Sequence, residues 1–146
     1  MEADIERLAV VRVRGILEIK PAARKTLELL SLKRKNHCII LPKTKQYLGM
    51  LNRVKDFVTY GPVREETFRM LVEKKGELFN QRLTDKKGII TYNKFIEVNG
   101  KKYNKAFRLN SPRKGYAPKG VKMPFSRGGA LGFRGDNIND LIQRMM

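Results

Sequence analysis

The stretch "LAVVRVR" (residues 8–14) sets the frame that the rest of the chain has to accommodate. It is rich in β-branched residues and alternates at its end, with Val11 and Val13 on one face and Arg12 and Arg14 on the other. That pattern is a strand whose second face is cationic. After Gly15, "KPAARKTLELLSL" puts Pro21 at a first helical position and Ala23, Leu27 and Leu30 at i, i+4 and i+7, with Arg24, Lys25 and Glu28 facing away. An amphipathic helix over 21–31 follows.

The same alternation of types continues. "HCIILP" (37–42) is a short apolar run closed by proline, a second strand. "TKQYLGMLNRV" offers Thr44 as an N-cap and puts Tyr47, Leu48, Leu51 and Val54 on one stripe. "DFVTY" (56–60) is a third strand ended by Gly61 and Pro62. The order β-α-β-α-β predicts an α+β fold, a small sheet with helices on one face and Arg12 and Arg14 left on the other.

Beyond this core, "VREETFRMLVEKKG" predicts a third helix with Val63, Thr67, Met70 and Leu71 on one side and Gly76 as its stop. "GIITYNKFIEVNGKKYNKAFRL" carries two β-like runs around Asn99-Gly100, a two-residue hairpin signal, so strands are expected near 89–98 and 101–108. "DNINDLIQRMM" has Asp136 or Asn137 as an N-cap and Ile138, Leu141, Ile142 and Met145 at helical spacing. The chain divides into residues 1–76, the core with its third helix, and 77–146, an extension made of hairpin, basic arm (108–135) and terminal helix.

Charge points to the partner. The 146 residues carry 32 Lys and Arg against 14 Asp and Glu, a formal +18, and ten of the basic residues fall in 101–135, where there is no carboxylate. Such an excess opposes compaction, and nucleic acid is the polyanion that most often relieves it. Solvated surfaces mix their signs, which argues against an inert loop. There is no apolar run of about 18 residues and no leader-like h-region at "MEADIERLAV", so no membrane partner is expected. The single cysteine permits no internal disulfide and fits a reducing cytosol.

Within the basic run, "RLNSPRKGYAPKGVKMPFSRGGALGFRG" (108–135) holds seven Lys and Arg, six Gly and three Pro. Its apolar residues recur at neither period, and its prolines interrupt any ladder. It reads as an extended arm, tethered at both ends, that orders when RNA neutralises it. Gly129, Gly132 and Gly135 resemble a phosphate loop only superficially, since no Gly-Lys-Ser/Thr follows; they let the backbone approach a polyanion while Arg127 and Arg134 reach phosphates. Leu131 and Phe133 either anchor on the domain or stack on a base.

Catalytic chemistry is missing from the sequence. His37 and Cys38, each the only one of its kind, are neighbours on a strand and point to opposite faces, so they form neither a dyad nor a metal site. Cys38 reads as a small buried hydrophobe. Four zinc ligands are not available, and Glu65-Glu66 and Asp136-Asp140 suit first helical turns. No catalytic residue, metal, cofactor or small-molecule substrate is expected.

"LAVVRVRG", Arg24 with Thr26-Leu27, "LKRKNHCIILP" and "LGMLNRVKDFVTYG" resemble, in order and spacing, the core of the ribosomal protein numbered thirty of the large subunit, in its archaeal form, related to the eukaryotic protein numbered seven. "RLNSPRKG" and "GGALGFRGDNINDLIQRMM" resemble that form's C-terminal extension, although Lys114 stands where the family usually has a second glycine. The resemblance covers 8–76 and 107–146. It implies a ferredoxin-like core and a non-enzymatic, cytoplasmic protein of the large subunit, bound to large-subunit ribosomal RNA near 5S ribosomal RNA and beside other ribosomal proteins.

Folded RNA is recognised through shape, phosphates and 2′-hydroxyls, which asks for cations on a platform and an arm that threads between helices. The platform is expected to comprise Arg12, Arg14, Arg24, Lys33, Arg34 and His37, with Asn36 either donating to a base edge or turning the backbone. The arm comprises Arg108, Arg113, Lys114, Lys119, Lys122, Arg127 and Arg134. The alternative is an RNA-binding or RNA-chaperone protein outside the ribosome.

Overall fold

The computed structural model describes residues 7–15, 20–78, 86–88, 95–98 and 100–146. Three strands, β1 (Arg7–Arg12), β2 (His37–Pro42) and β3 (Val58–Pro62), alternate with α1 (Pro21–Leu29) and α2 (Lys45–Val54). Helix α3 (Glu65–Lys75), a hairpin of β4 (Phe95–Val98) and β5 (Lys101–Asn104), β6 (Ala106–Arg108), a 3₁₀ turn (Phe125–Arg127), β7 (Gly132–Phe133) and α4 (Asn137–Met145) follow. The sheet order is β6-β2-β1-β3-β7, with β1 antiparallel to β2 and β3, β6 antiparallel to β2, and β7 parallel to β3. This is the α+β, ferredoxin-like arrangement expected from the sequence. Strands β6 and β7, both from beyond residue 76, form its two edges.

Strand β1 is central and its Leu8, Ala9, Val10 and Val11 are all buried. Leu8 and Val10 pack with Leu27, Leu30, Leu51 and Val54 of the α1/α2 layer. Ala9 and Val11 pack with Phe68, Leu71, Ile138, Leu141 and Ile142 of α3 and α4. The second face is therefore covered, not open and cationic as expected. Four consecutive apolar residues at 8–11 are the mark of a strand buried on both sides. The alternation continues to Arg12, which lands on the α1/α2 side, only 3% exposed. Val13 packs under Ala130 and Leu131 of the arm.

The helices form where their patterns put them. Pro21 occupies the first turn of α1, and Thr44 Oγ1 accepts from the Tyr47 amide at the start of α2. Helix α3 buries Thr67, Phe68, Leu71 and Val72, a stripe rotated from the expected one because it faces α4 as well as the sheet. Helix α4 buries Ile138, Leu141, Ile142 and Met145 as expected. The Asp136 carboxylate does not cap it but accepts from Arg64. Buried Asn139 instead ties α4 to α3, accepting from the Arg64 amide at 2.8 Å and donating to Pro62 O at 3.1 Å.

Three boundaries moved for local reasons. Strand β1 stops at Arg12 because the amides of Val13 and Arg14 both donate to Phe57 O, at 2.9 and 3.2 Å. Strand β3 starts at Val58, two residues later than expected, because Phe57 N still closes on Val54 O at 2.9 Å. It then runs through Gly61, where a Cβ would lie 2.2 Å from Gly135 O, so only glycine admits the chain entering α4. The expected strand over 101–108 breaks at Lys105 into β5, paired with β4, and β6, paired with β2. The expected 89–94 portion lies outside the described residues.

Candidate nucleic-acid interface

The basic segment is built into the fold. Its entry is held by α4, where the amides of Asn110 and Arg113 donate to Met145 O and Arg144 O at 3.0 and 3.1 Å. Those carbonyls belong to a helix C-terminus and have no partner within the helix. Arg144 Nη1 returns bonds to Arg113 O and Gly115 O at 3.0 and 2.6 Å. The distal loop closes on itself through Ala130 N to Gly120 O and Leu131 N to Met123 O, each 3.1 Å. Gly129 makes that closure possible, since a Cβ there would stand 2.0 Å from Met123 O.

One buried cation fastens the exit. Arg134, 4% exposed, donates from Nε to Thr59 Oγ1 at 3.1 Å, from Nη1 to Tyr116 O at 3.2 Å and from Nη2 to Ala130 O at 3.1 Å. Its guanidinium also lies 4.9 Å from the centre of the Phe125 ring. Burial pushes its pKa down to about 10, so it remains charged at neutral pH. The expectation of an arm without structure until RNA arrives is corrected here: Leu109, Ala130 and Leu131 are buried, and β7 is the fifth strand of the sheet. Irregular spacing did not prevent packing because Leu109 fills a place beside α3 and α4 while Ala130 and Leu131 fill one against Val13.

Arg12 plays the matching part at the platform. Its guanidinium donates to Leu32 O at 2.7 Å, Arg14 O at 3.0 Å and Gly15 O at 3.3 Å. Burial, then the nearby Arg24, lowers its pKa. Above it opens a groove of about 660 Å³ lined by Arg12, Arg24, Glu28 and Lys33. Arg24, Lys33 and Arg34 are exposed around this side of the molecule. Arg14 is half-buried, 5.4 Å from the Phe57 ring centre, and donates weakly to Asp56 O at 3.4 Å.

The remaining expected residues sort by exposure. Arg113, Lys114, Lys119, Lys122 and Arg127 are exposed and form no ion pair among the described residues. Exposed Arg108 is bound to Glu77, with Nε donating at 2.9 Å. Asn36 resolves its two readings within the protein: it turns the backbone at φ +69, and its Oδ1 accepts from Tyr116 OH. Lys114 also adopts positive φ, +65, a conformation that favours glycine. His37 is half-buried opposite Arg108 on the sheet edge, with a buried Nδ1 lacking a partner. Its pKa is lowered first by burial, then by Arg108, Arg34 and Arg12, against a raising effect of Glu77.

Arg144, whose guanidinium holds Arg113 O and Gly115 O, was not singled out by sequence reasoning. The only local hint was its place in the last turn of a helix, where a cation suits the free carbonyls. Cys38 behaves as expected, fully buried, its thiol pushed up to about 12. Among the described residues no three His, Cys, Asp or Glu are grouped to hold a metal, and no helix is long and apolar enough to cross a membrane.

Comparison with known proteins places this architecture. Residues 8–58 match the family model described as ribosomal protein L30p/L7e. The large ribosomal subunit protein uL30 of Methanococcus maripaludis is 40% identical over 153 residues, covering 94% of this chain and 98% of the relative. The chain belongs to the ribosomal protein L30p/L7e family. Other uL30 proteins agree, that of Methanosphaera stadtmanae at 37% identity over 94% of this chain and 99% of its own length, and that of Nanoarchaeum equitans at 39% over 93% and 96%. The L30p/L7e model spans β1 through the start of β3. The archaeal relatives, matched over 93–94% of this chain, extend the likeness beyond β3 into the docked arm.

Proposed function

We propose that this chain grips large-subunit ribosomal RNA with two cationic surfaces of one fold, close to 5S ribosomal RNA. Its family membership makes it a structural, non-enzymatic ribosomal protein of the large subunit, in the cytoplasm. The observation that carries the residue-level reading is the docked arm: a carboxylate-free segment whose Arg113, Lys114, Lys119, Lys122 and Arg127 all face solvent. Phosphates are the natural ligands of such a surface, and a pre-docked arm spends little ordering entropy on binding. Arg24, Lys33 and Arg34 supply the second surface around the groove. Arg12 and Arg134 hold these surfaces in place from beneath and do not reach RNA.

Native Cys38 is buried with its thiol protonated, so a cysteine placed on the surface is the sole reactive thiol. Iron chelates attached at Lys122→Cys and Lys33→Cys should each cut large-subunit RNA in reconstituted particles, at different places, and one should cut 5S RNA. Absence of cuts in 5S RNA from both positions removes the 5S assignment. Absence of cuts in large-subunit RNA removes the proposal.

A further inference from the structure

Three large apolar side chains stand exposed among the described residues: Leu29 at 66%, Leu78 at 57% and Phe133 at 60%. A single exposed apolar residue is ordinary. Phe133 differs in how it is held. Its strand neighbours are fixed to β3, with Thr59 Oγ1 donating to Gly132 O at 3.0 Å and Arg134 N donating to Tyr60 O at 2.8 Å. Tyr60 supports the ring from within the sheet, centroids 5.6 Å apart and planes tilted by 56°. The buried guanidinium of Arg134 secures the residue next to it. The fold thus mounts an aromatic ring rigidly and leaves most of it in water.

The surroundings of the ring define what can cover it. A Cβ at Gly132 would meet nothing within 4 Å, and one at Gly135 would meet only Phe133 Cε1, at 3.9 Å. The ring itself is 60% exposed, with glycine rather than a side chain at 132 and 135. Its chain segment, 108–135, contains seven cations and no carboxylate. Leu29 and Leu78, the other large apolar side chains exposed among the described residues, belong to other elements, on α1 and beside the hairpin. An isolated, rigid, flat aromatic in a cationic segment suits a flat ligand carried on a polyanion.

We infer that Phe133 is a stacking site for one unpaired nucleobase of large-subunit ribosomal RNA. The inference rests on the RNA-binding reading above and adds to it a base contact beside the phosphate contacts. Stacking depends on a π face, so tyrosine and tryptophan substitute for Phe133 whereas leucine, equally apolar, does not. The contact involves no phosphate, so its loss leaves the salt dependence of binding unchanged.

The test uses the full chain and protein-free large-subunit ribosomal RNA. Phe133→Ala and Phe133→Leu should weaken binding by about 5- to 100-fold with an unaltered salt slope, and Phe133→Tyr should stay within about twofold of the parent. The chain has no tryptophan, so Phe133→Trp creates a single reporter. Its emission should be quenched at saturating RNA by the stacked base. Parent-like affinity of Phe133→Ala together with unquenched Phe133→Trp would overturn the inference while leaving RNA binding intact. Parent-like affinity for naked RNA but poor retention of Phe133→Ala in assembled subunits would overturn it in favour of a protein neighbour. Failure of the parent chain itself to bind would overturn the RNA reading, and this inference with it.

Discussion

Arg134 donates to Thr59 Oγ1 at 3.1 Å across 75 residues of sequence, and neither side chain is exposed to water. The same guanidinium satisfies Tyr116 O and Ala130 O, so one residue joins the middle and the exit of the basic segment to the sheet. Its removal strands three acceptors. Arg134→Ala should lower stability by about 1 to 3 kcal/mol, measured by denaturant unfolding. Arg134→Lys should recover only part of this, because an ammonium lacks the planar fork. Trypsin should cleave both variants at Lys119 and Lys122 faster than the parent. Unchanged stability and cleavage would mean that Arg134 is not the fastening.

Arg12 and Arg24 offer a contrast within one groove. Arg12, with three backbone carbonyl partners, should cost about 1 to 3 kcal/mol of stability as Arg12→Ala. Exposed Arg24 should change stability by less than about 0.5 kcal/mol as Arg24→Ala, yet weaken RNA binding. Thermal melts and binding curves on the two variants check this. An Arg24→Ala protein that melts early and binds normally would reverse the assignment.

The two arginines also show where sequence reading stops. The βαβαβ order, the stripes of α1, α2 and α4 and the capping hydroxyl of Thr44 were legible because each rests on periodicity or on a neighbour three residues away. The burial of β1 on both faces was also written in Leu8 to Val11, but the alternation at Arg12 and Arg14 suggested an open face. The docking of the arm was not legible. Its fastening depends on carbonyls at 116 and 130 and a hydroxyl at 59 meeting at residue 134. Nothing local distinguishes such an arginine from the exposed ones at 113 and 127. The hydrogen bond of Tyr116 to Asn36 likewise joins residues 80 apart.

Lys114 carries strain that glycine would release. At φ +65 an L-residue costs on the order of 1 kcal/mol relative to glycine. Lys114→Gly should therefore raise stability by up to about 0.6 kcal/mol after the roughly 0.4 to 1 kcal/mol entropy of the freer unfolded chain is subtracted. Lys114→Ala keeps the strain and should bring no gain. Equal melting temperatures for all three proteins would contradict this.

His37 makes stability depend on pH. Its pKa in the folded protein is lowered from 6.5, so the folded state resists a proton that the unfolded chain accepts. Stability contributed by neutral His37 is present above about pH 6.5 and falls as pH drops from there toward the lower folded value. Relative to His37→Gln, the parent should lose stability as pH falls below about 6.5. Parallel pH profiles of the two proteins would show that His37 titrates as freely folded as unfolded.

The central claim is that a pre-docked arm presents its cations to ribosomal RNA phosphates. Deleting the arm would also remove β7 and the Arg134 fastening, so exchange of charge is the cleaner intervention. Arg113, Lys114, Lys119, Lys122 and Arg127 are exposed, and replacing all five by Gln should leave the fold intact. The decisive measurement is affinity for protein-free large-subunit ribosomal RNA as a function of salt, parent against the five-fold variant. Each neutralised phosphate contributes about 0.7 to 0.9 to the slope of log affinity on log salt, so the variant's slope should be shallower by up to about 4. Parallel lines for the two proteins would contradict the account.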